Sequence, residues 1–388
     1  FYSRACTNPD WGAFAAGIIK EIEFWKDKFN EPTPGGCAAC PPRKGGGRRD
    51  FVAFRSCANI IGEANAPALA GGAGGTAAGG GLVVPTIFFG GGTPSLMPIQ
   101  TFAEIISAAR RAFSIAPDAE ITIEANPGTI TREKLCEFIA AGVNRISIGV
   151  QSLRDEELNF LGRIHDACAA RALIREAKSL GLRVSADFIY GLPGQGVRDI
   201  EEMCREINEL DLEHASLYEL TIEKNSAFGK MNLQVPDNET AARMYETIGA
   251  ALSLPRYEVS NYARPGAECR HNTNIWDGQP YIGFGPSAAG RILEQNAKSG
   301  ERSWCEQSYD KNSNLILNAL SHKDRAVEKI ITGLRTARGL ALTQDIRDAI
   351  DWDFCKLAIS NGQLAIKDER LFARDFLTLD SIMLHLIK

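Results

Sequence analysis

From Thr86 onward, short β runs alternate with amphipathic helical segments, and this alternation restricts the chain to a parallel α/β sheet, barrel-like or doubly wound. The β runs are "TIFF", "ITIEAN", "RISIGVQS", "RVSADFIYG" and "HASLYELTIE". Between them lie "TFAEIISAARRAF", "REKLCEFIAAGV", "CAARALIREAKSLG" and "IEEMCREINEL", each with apolar residues at helical spacing. The pattern predicts five parallel strands near 86–90, 121–125, 146–151, 184–190 and 215–221. The runs at 146–150 and 187–190 read as apolar on both faces, as strands in a covered parallel sheet do.

The rest of the chain is less regular. Residues 1–29 include a helical stretch, "WGAFAAGIIKEIEFWKDKF", that reads as an N-terminal helix of the barrel. Residues 30–83 read as a flexible Gly/Ala-rich insertion, because 64–81 has almost no side chain to bury against its ordering entropy. The barrel and its extension, with a further β run at "YEVSNYA", occupy 84–290, and 291–388 is expected to form a small, mainly helical C-terminal domain.

Bulk properties narrow the function. A net charge of −5 and a pI near 5.7 argue against nucleic acid as the main partner. No apolar run approaches the ~20 residues that span a bilayer. The ten cysteines are scattered, which is the usage of a reducing compartment, so a cytoplasmic location is expected.

The informative polar residues fall where the strands end. Gly90–Thr93 close the first run, Glu124 the second, Gln151 the third and Thr221 the fifth, while Asp187 lies in the fourth. Parallel α/β sheets build their sites at those C-terminal ends. The glycine turn lacks the Lys-Ser or Lys-Thr of a Walker A loop and the Gly-x-Gly-x-x-Gly spacing of a dinucleotide site. It is either a tight barrel turn or bare backbone offered to a small zwitterion. Glu124 either caps the next turn or meets a ligand ammonium or ribose hydroxyl. Gln151 offers a donor and an acceptor, and Asp187 offers acceptors only. Arg163 is either a solvated charge or part of the same site, and His165 reads as a helix-start or surface residue rather than a ligand.

Taken in order, "IFFGGGTPSLM", "IEANPG", "GVNRISIGVQS", "LGRIHDA", "DFIYGLPGQ" and "YEVSNYARPGAECRHNTNIW" resemble the radical-SAM haem-chaperone (HemW-like) family, kin of the oxygen-independent coproporphyrinogen III oxidases. The resemblance covers most of the chain outside 30–83. It implies an incomplete (β/α)6 barrel that binds S-adenosylmethionine beside a 4Fe–4S cluster. By motif match, Gly91, Gly92 and Thr93 receive the methionine ammonium, and Glu124, Gln151, Arg163 and Asp187 line the same cofactor site.

The family holds its cluster with three cysteines in a CxxxCxxC motif after the first barrel strand. Phe1-Tyr2-Ser3 resembles the residues directly after that motif, so the first strand and the cluster ligands are expected upstream of residue 1. The chain as given is then expected to be inactive as a radical enzyme. Cys37 and Cys40 form a CxxC followed by Cys57, an alternative metal set within the insertion.

The resemblance implies a role in tetrapyrrole metabolism, with haem as a further ligand and haem or a porphyrinogen, with haem-acceptor proteins, as partners. The alternatives are an oxidase that decarboxylates coproporphyrinogen and a catalytically silent binding barrel. "ECRHNTNIW" resembles the chaperone branch's HNxxYW signature with Ile275 in place of Tyr, and it makes His271 the candidate haem contact, against a histidine hydrogen-bonded in a loop core.

Overall fold

The structure is a computed structural model that describes residues 10–30, 57–63, 83–295 and 302–388, apart from 225, 227, 287 and 311–313. Five parallel strands form its centre: β2 (Val83–Gly90), β3 (Ser114–Ala125), β4 (Arg145–Gln151), β5 (Arg183–Tyr190) and β6 (His214–Glu219). Between them run α2 (Ile99–Ala112), α3 (Arg132–Ala141), α4 (Asp155–Phe160), α5 (Ala167–Ser179) and α6 (Val197–Glu209), and α7 (Asn238–Ala251) follows β6. α1 (Trp11–Asn30) precedes this unit and packs beside α2.

Local chemistry sets the element ends. Thr131 and Asp166 cap α3 and α5, accepting from the backbone N–H of Lys134 at 3.3 Å and Ala169 at 2.7 Å. Pro85 has no N–H to give the ladder, and the β2–β3 register shifts at that residue, between Val84 and Thr86. β3 begins at Ser114, well before the run visible in the sequence, because Pro117 and Asp118 hide its first half.

The edge of β2 is not open. β1 (Cys57–Glu63), in the stretch that reads as an insertion, pairs antiparallel with it from Cys57↔Gly90 to Glu63↔Val83. β9 (Tyr281–Phe284) pairs with the other side of β1, and β10 (Gly290–Gln295), β11 (Arg302–Tyr309) and β12 (Leu315–Leu320) continue outward. At the far edge, β8 (Asn261–Ala263) and β7 (Arg256–Glu258) follow β6. Among the described residues these twelve strands make one sheet. Residues 64–81, with the flexibility expected of them, lie outside the described residues.

The sheet also runs past residue 290, so the C-terminal unit has a core of its own only from Ala326 onward. That core lies among α9 (His322–Leu334), α10 (Gln344–Ala349), α11 (Trp352–Ser360), α12 (Leu379–Leu386) and a small sheet of β13 (Leu340–Ala341), β15 (Arg370–Ala373) and β14 (Leu364–Lys367). The region is mixed α and β, not mainly helical.

Two faces of the parallel strands differ in chemistry. Ile87, Phe89, Ile121, Ile123, Ile146, Ile148, Val184, Ala186, Ala215 and Leu217 belong to the main apolar core with the helices. The alternating positions Thr86, Thr122, Glu124, Ser147, Ser185, Asp187 and Ser216 are polar and fall on the inner face, as the period of two requires. The runs read as apolar on both faces therefore carry Ser147, Gly149 and Asp187 inward.

Candidate functional site

The inner face has two differently built ends. At the N-terminal end, Glu120 is 1% exposed. It accepts from Arg183 Nη1 at 3.0 Å and from the backbone N–H of His271 at 3.0 Å and Arg270 at 3.3 Å. Arg183 Nη2 and Arg145 Nη1 donate to the carbonyls of Glu268 and Ala267. These bonds seat α8 (Arg270–Trp276) and the loop before it across that mouth.

His271, the candidate haem contact, belongs to this closure. It is 2% exposed, stacked on Phe88 with ring centroids 4.9 Å apart, and its Nδ1 lies 3.3 Å from Thr86 Oγ1. Burial pulls its pKa down to about 3, so the ring is a neutral packing group. A porphyrin cannot reach it while this segment stays seated. His165 is likewise buried rather than on the surface, with Nε2 3.2 Å from the Val150 carbonyl.

At the C-terminal end the strands present a group of polar side chains and a glycine turn. The turn after β2 places Gly91 at φ 75° and Gly92 at φ 57°, a conformation that L side chains resist. Gly90 must also be bare, since a Cβ there would lie 2.9 Å from Glu124 Oε1 and 2.6 Å from the Phe88 ring. Glu124 Oε2 accepts from Gly91 N at 3.0 Å. Thr93 Oγ1 accepts from Asn126 Nδ2 at 3.1 Å, a second tie between the glycine turn and the end of β3.

Glu124 and Asp187 share one electrostatic environment. Burial first, then the Asp187 charge, raises the Glu124 carboxyl to about 7 against the Gly91 hydrogen bond. Burial also raises Asp187, opposed by hydrogen bonds from Ser216 and from Ser147, whose Oγ donates at 3.0 Å. Both residues keep some surface uncovered rather than lying wholly in packed core.

Gln151 ends β4 at φ 68°, a left-handed position rare for a residue with a side chain. A Cβ on Gly149 would come within 2.8 Å of both Gln151 Nε2 and Asn126 Oδ1, so the two amides crowd over that glycine. Arg163 follows in the loop after α4, and its Nε is buried without a hydrogen-bond partner. Burial lowers the Arg163 pKa, so this cation lacks a counter-charge strong enough to offset its desolvation.

The structure thus brings Gly91, Thr93, Glu124 and Asp187 into one hydrogen-bonded or charge-coupled group, with Gln151 reaching it through Asn126. Thr221 is not part of a strand: β6 stops at Glu219, and Thr221 is exposed in the loop beyond. Asn126 and Gly149 were missed by sequence reasoning. Asn126 stands two residues after Glu124 in "IEANPG" and was findable there, whereas Gly149 is recognisable only from its neighbours across the sheet.

Cys37 and Cys40 lie outside the described residues, and Cys57 opens β1. Among the described residues, no three His, Cys, Asp or Glu side chains are grouped to hold a metal ion. No described helix is long and apolar enough to cross a membrane.

Residues 77–207 match the radical SAM superfamily. Heme chaperone HemW of Escherichia coli (strain K12) is 42% identical over 207 residues, which cover 52% of this chain and 55% of that protein. Radical S-adenosyl methionine domain-containing protein 1, mitochondrial, of Bos taurus is 42% identical over 220 residues, covering 54% of this chain and 49% of that protein. The chain spans about half the length of the curated relatives it matches. In fold it is similar to coproporphyrinogen III oxidase (HemN) from Escherichia coli, with a TM-score of 0.62 and 21% identity over 78% of this chain and 77% of that one. Over residues 77–207 the chain is thus similar to radical SAM proteins, and its similar curated relatives include HemW heme chaperones.

Proposed function

We propose that this protein is a cytoplasmic haem chaperone whose half-barrel binds S-adenosylmethionine at the C-terminal ends of β2 to β5, with haem and haem-acceptor proteins as its partners. The observation that carries the cofactor site is the Glu124 carboxylate, held on the bare Gly91 N–H beside Asp187. The residues present fit S-adenosylmethionine. Gly91, Gly92 and Thr93 offer uncluttered backbone to the methionine ammonium, and Glu124 and Asp187 supply negative charge for a cationic ligand. The unpartnered Arg163 Nε suits an anionic oxygen, and Gln151 suits a group that both donates and accepts.

In radical SAM chemistry, S-adenosylmethionine supplies a 5′-deoxyadenosyl radical when a reduced 4Fe–4S cluster cleaves it. The described residues do not form a ligand set for that cluster. What this chain's residues do is hold the methionine end, keep two carboxylates desolvated near a cation, and exclude water from the inner face. The haem role rests on the likeness to HemW, and His271 takes no part in it.

Isothermal titration of the full chain with S-adenosylmethionine tests the site. Gln151→Ala and Asp187→Ala should each weaken binding by about 1–3 kcal/mol, the worth of one hydrogen bond to a charged or buried partner. Unchanged affinity in both refutes the assignment. Haem titration followed by its absorption should saturate, whereas weak haem binding supports the oxidase reading instead.

The pH dependence has a definite sign. Glu124 titrates near 7 in the folded chain against an ordinary 4.5, so its protonated form is favoured by folding. Its contribution, on the order of 3 kcal/mol, is fully present below 4.5 and is lost as pH rises through about 7. A ligand ammonium prefers the ionised carboxylate, so S-adenosylmethionine affinity should run the other way. It should rise from pH 5.5 to 8, with proton release on binding at the acid end. Equal affinity across that range, or proton uptake, would falsify the role of Glu124.

A further inference from the structure

Gln151 occupies strained backbone just past a bulge in the ladder: the β4–β5 register shifts between Gly149 and Gln151, which pairs with Phe188, so regular pairing alone does not dictate its left-handed turn. A left-handed residue with a side chain persists only where its surroundings over-determine it. The restraint lies in the two following loops. Ser152 N donates to the Val150 carbonyl at 2.9 Å, and Ser152 Oγ donates to Glu157 Oε2 and accepts from Arg154 N at 3.0 Å. The other oxygen of Glu157, Oε1, accepts from Gln195 Nε2 at 2.8 Å. Gln195 Oε1 in turn accepts from Leu192 N at 2.9 Å, at the start of the loop after β5.

Each polar atom in this chain of bonds thus has a partner of the correct sense. Glu157 touches both loops, the one that sets Gln151 and the one that follows the Asp187 strand, and Arg154 beside it reaches the helix beyond, pairing with Asp199 at 2.7 Å and Glu202 at 2.6 Å. We infer that Glu157 and Gln195 are positioning residues: their hydrogen bond clamps the loop after β4 to the loop after β5 and holds the Gln151 carboxamide over Gly149, beside Asn126. This rests on the S-adenosylmethionine reading above, because it is cofactor affinity that the clamp controls.

The test is a swap of polarity across the clamp, read as S-adenosylmethionine affinity of the full chain by calorimetry, with the melting temperature of each variant alongside. Gln195→Glu removes the donor and sets carboxylate against carboxylate, while its Oε still accepts from Leu192 N. Affinity should fall about tenfold, the loss of a charge-assisted hydrogen bond. Adding Glu157→Gln should restore it, since the new amide at 157 accepts from Ser152 and donates to the new carboxylate at 195. Ser152→Ala, which creates no charge clash, should weaken binding in the same direction and guards against misfolding of the first variant.

Gln151→Ala serves as the control that separates the two readings. Binding that responds to Gln151→Ala but not to Gln195→Glu or Ser152→Ala, or a double variant that stays weak, overturns the clamp alone. A lower melting temperature with unchanged affinity overturns it too, by leaving the pair a purely structural role. An unsubstituted chain that does not bind S-adenosylmethionine, or binding indifferent to Gln151→Ala, overturns the site reading and the clamp with it.

Discussion

Gly92→Val should reduce S-adenosylmethionine affinity roughly a hundredfold while leaving the chain folded. Two costs add. A β-branched residue at φ 57° carries about 1–2 kcal/mol of backbone strain, which the turn relieves by moving its carbonyl groups. A contact between that backbone and a charged ligand group, worth about 1.5–3 kcal/mol, is lost with them. Gly90→Ala should act on the same site by another route, because its methyl group falls 2.9 Å from Glu124 Oε1 and displaces the carboxylate from Gly91 N. Calorimetric titration of both variants, with circular dichroism to verify folding, gives the answer. Binding as tight as in the unsubstituted chain would remove the glycine turn from the site.

Glu120→Ala should produce the largest loss of stability of any single change at the opposite end of the strands. The carboxylate is 1% exposed and serves Arg183 and two backbone N–H groups at once. Its removal leaves the Arg183 guanidinium without its counter-charge and two amides without their acceptor, at a cost of about 3–5 kcal/mol. Glu120→Gln keeps one acceptor oxygen and should cost less. Urea unfolding measures the loss, and hydrogen exchange at 267–273 should speed up in parallel as the segment unseats. A change under about 1 kcal/mol would mean the closure is held by packing alone.

The parallel half of the fold was legible because the outward residues of each strand, such as Ile121, Ile123, Ile146 and Ile148, must be apolar to meet the helices. The polar strand ends were legible for the complementary reason: Glu124 and Asp187 interrupt otherwise apolar runs. Other features depend on contacts that local pattern does not encode. β1 is embedded in a Gly/Ala-rich stretch, and its pairing is a backbone matter. His271 read as a haem contact because its segment resembles the HNxxYW signature, yet its partners, Thr86 and Phe88, lie some 185 residues earlier in the chain. Gln151 was read by its side chain alone; its left-handed backbone follows from a register break that only the neighbouring strand reveals.

The position of β1 between β2 and β9 also bears on how the protein is made. Ile61 pairs with Thr86 on one side and with Tyr281 on the other, so the second partner leaves the ribosome long after the first. At about 5–20 residues per second the interval is roughly 10–40 s. For that time β1 presents an unpaired edge of backbone donors and acceptors, the template on which strands of other chains add. The nascent protein therefore passes through a stage in which its parallel core can be assembled and one flank of it is still adhesive. Slowing translation between residues 90 and 280 should raise the aggregated fraction, and shielding by a holdase chaperone in that interval should lower it.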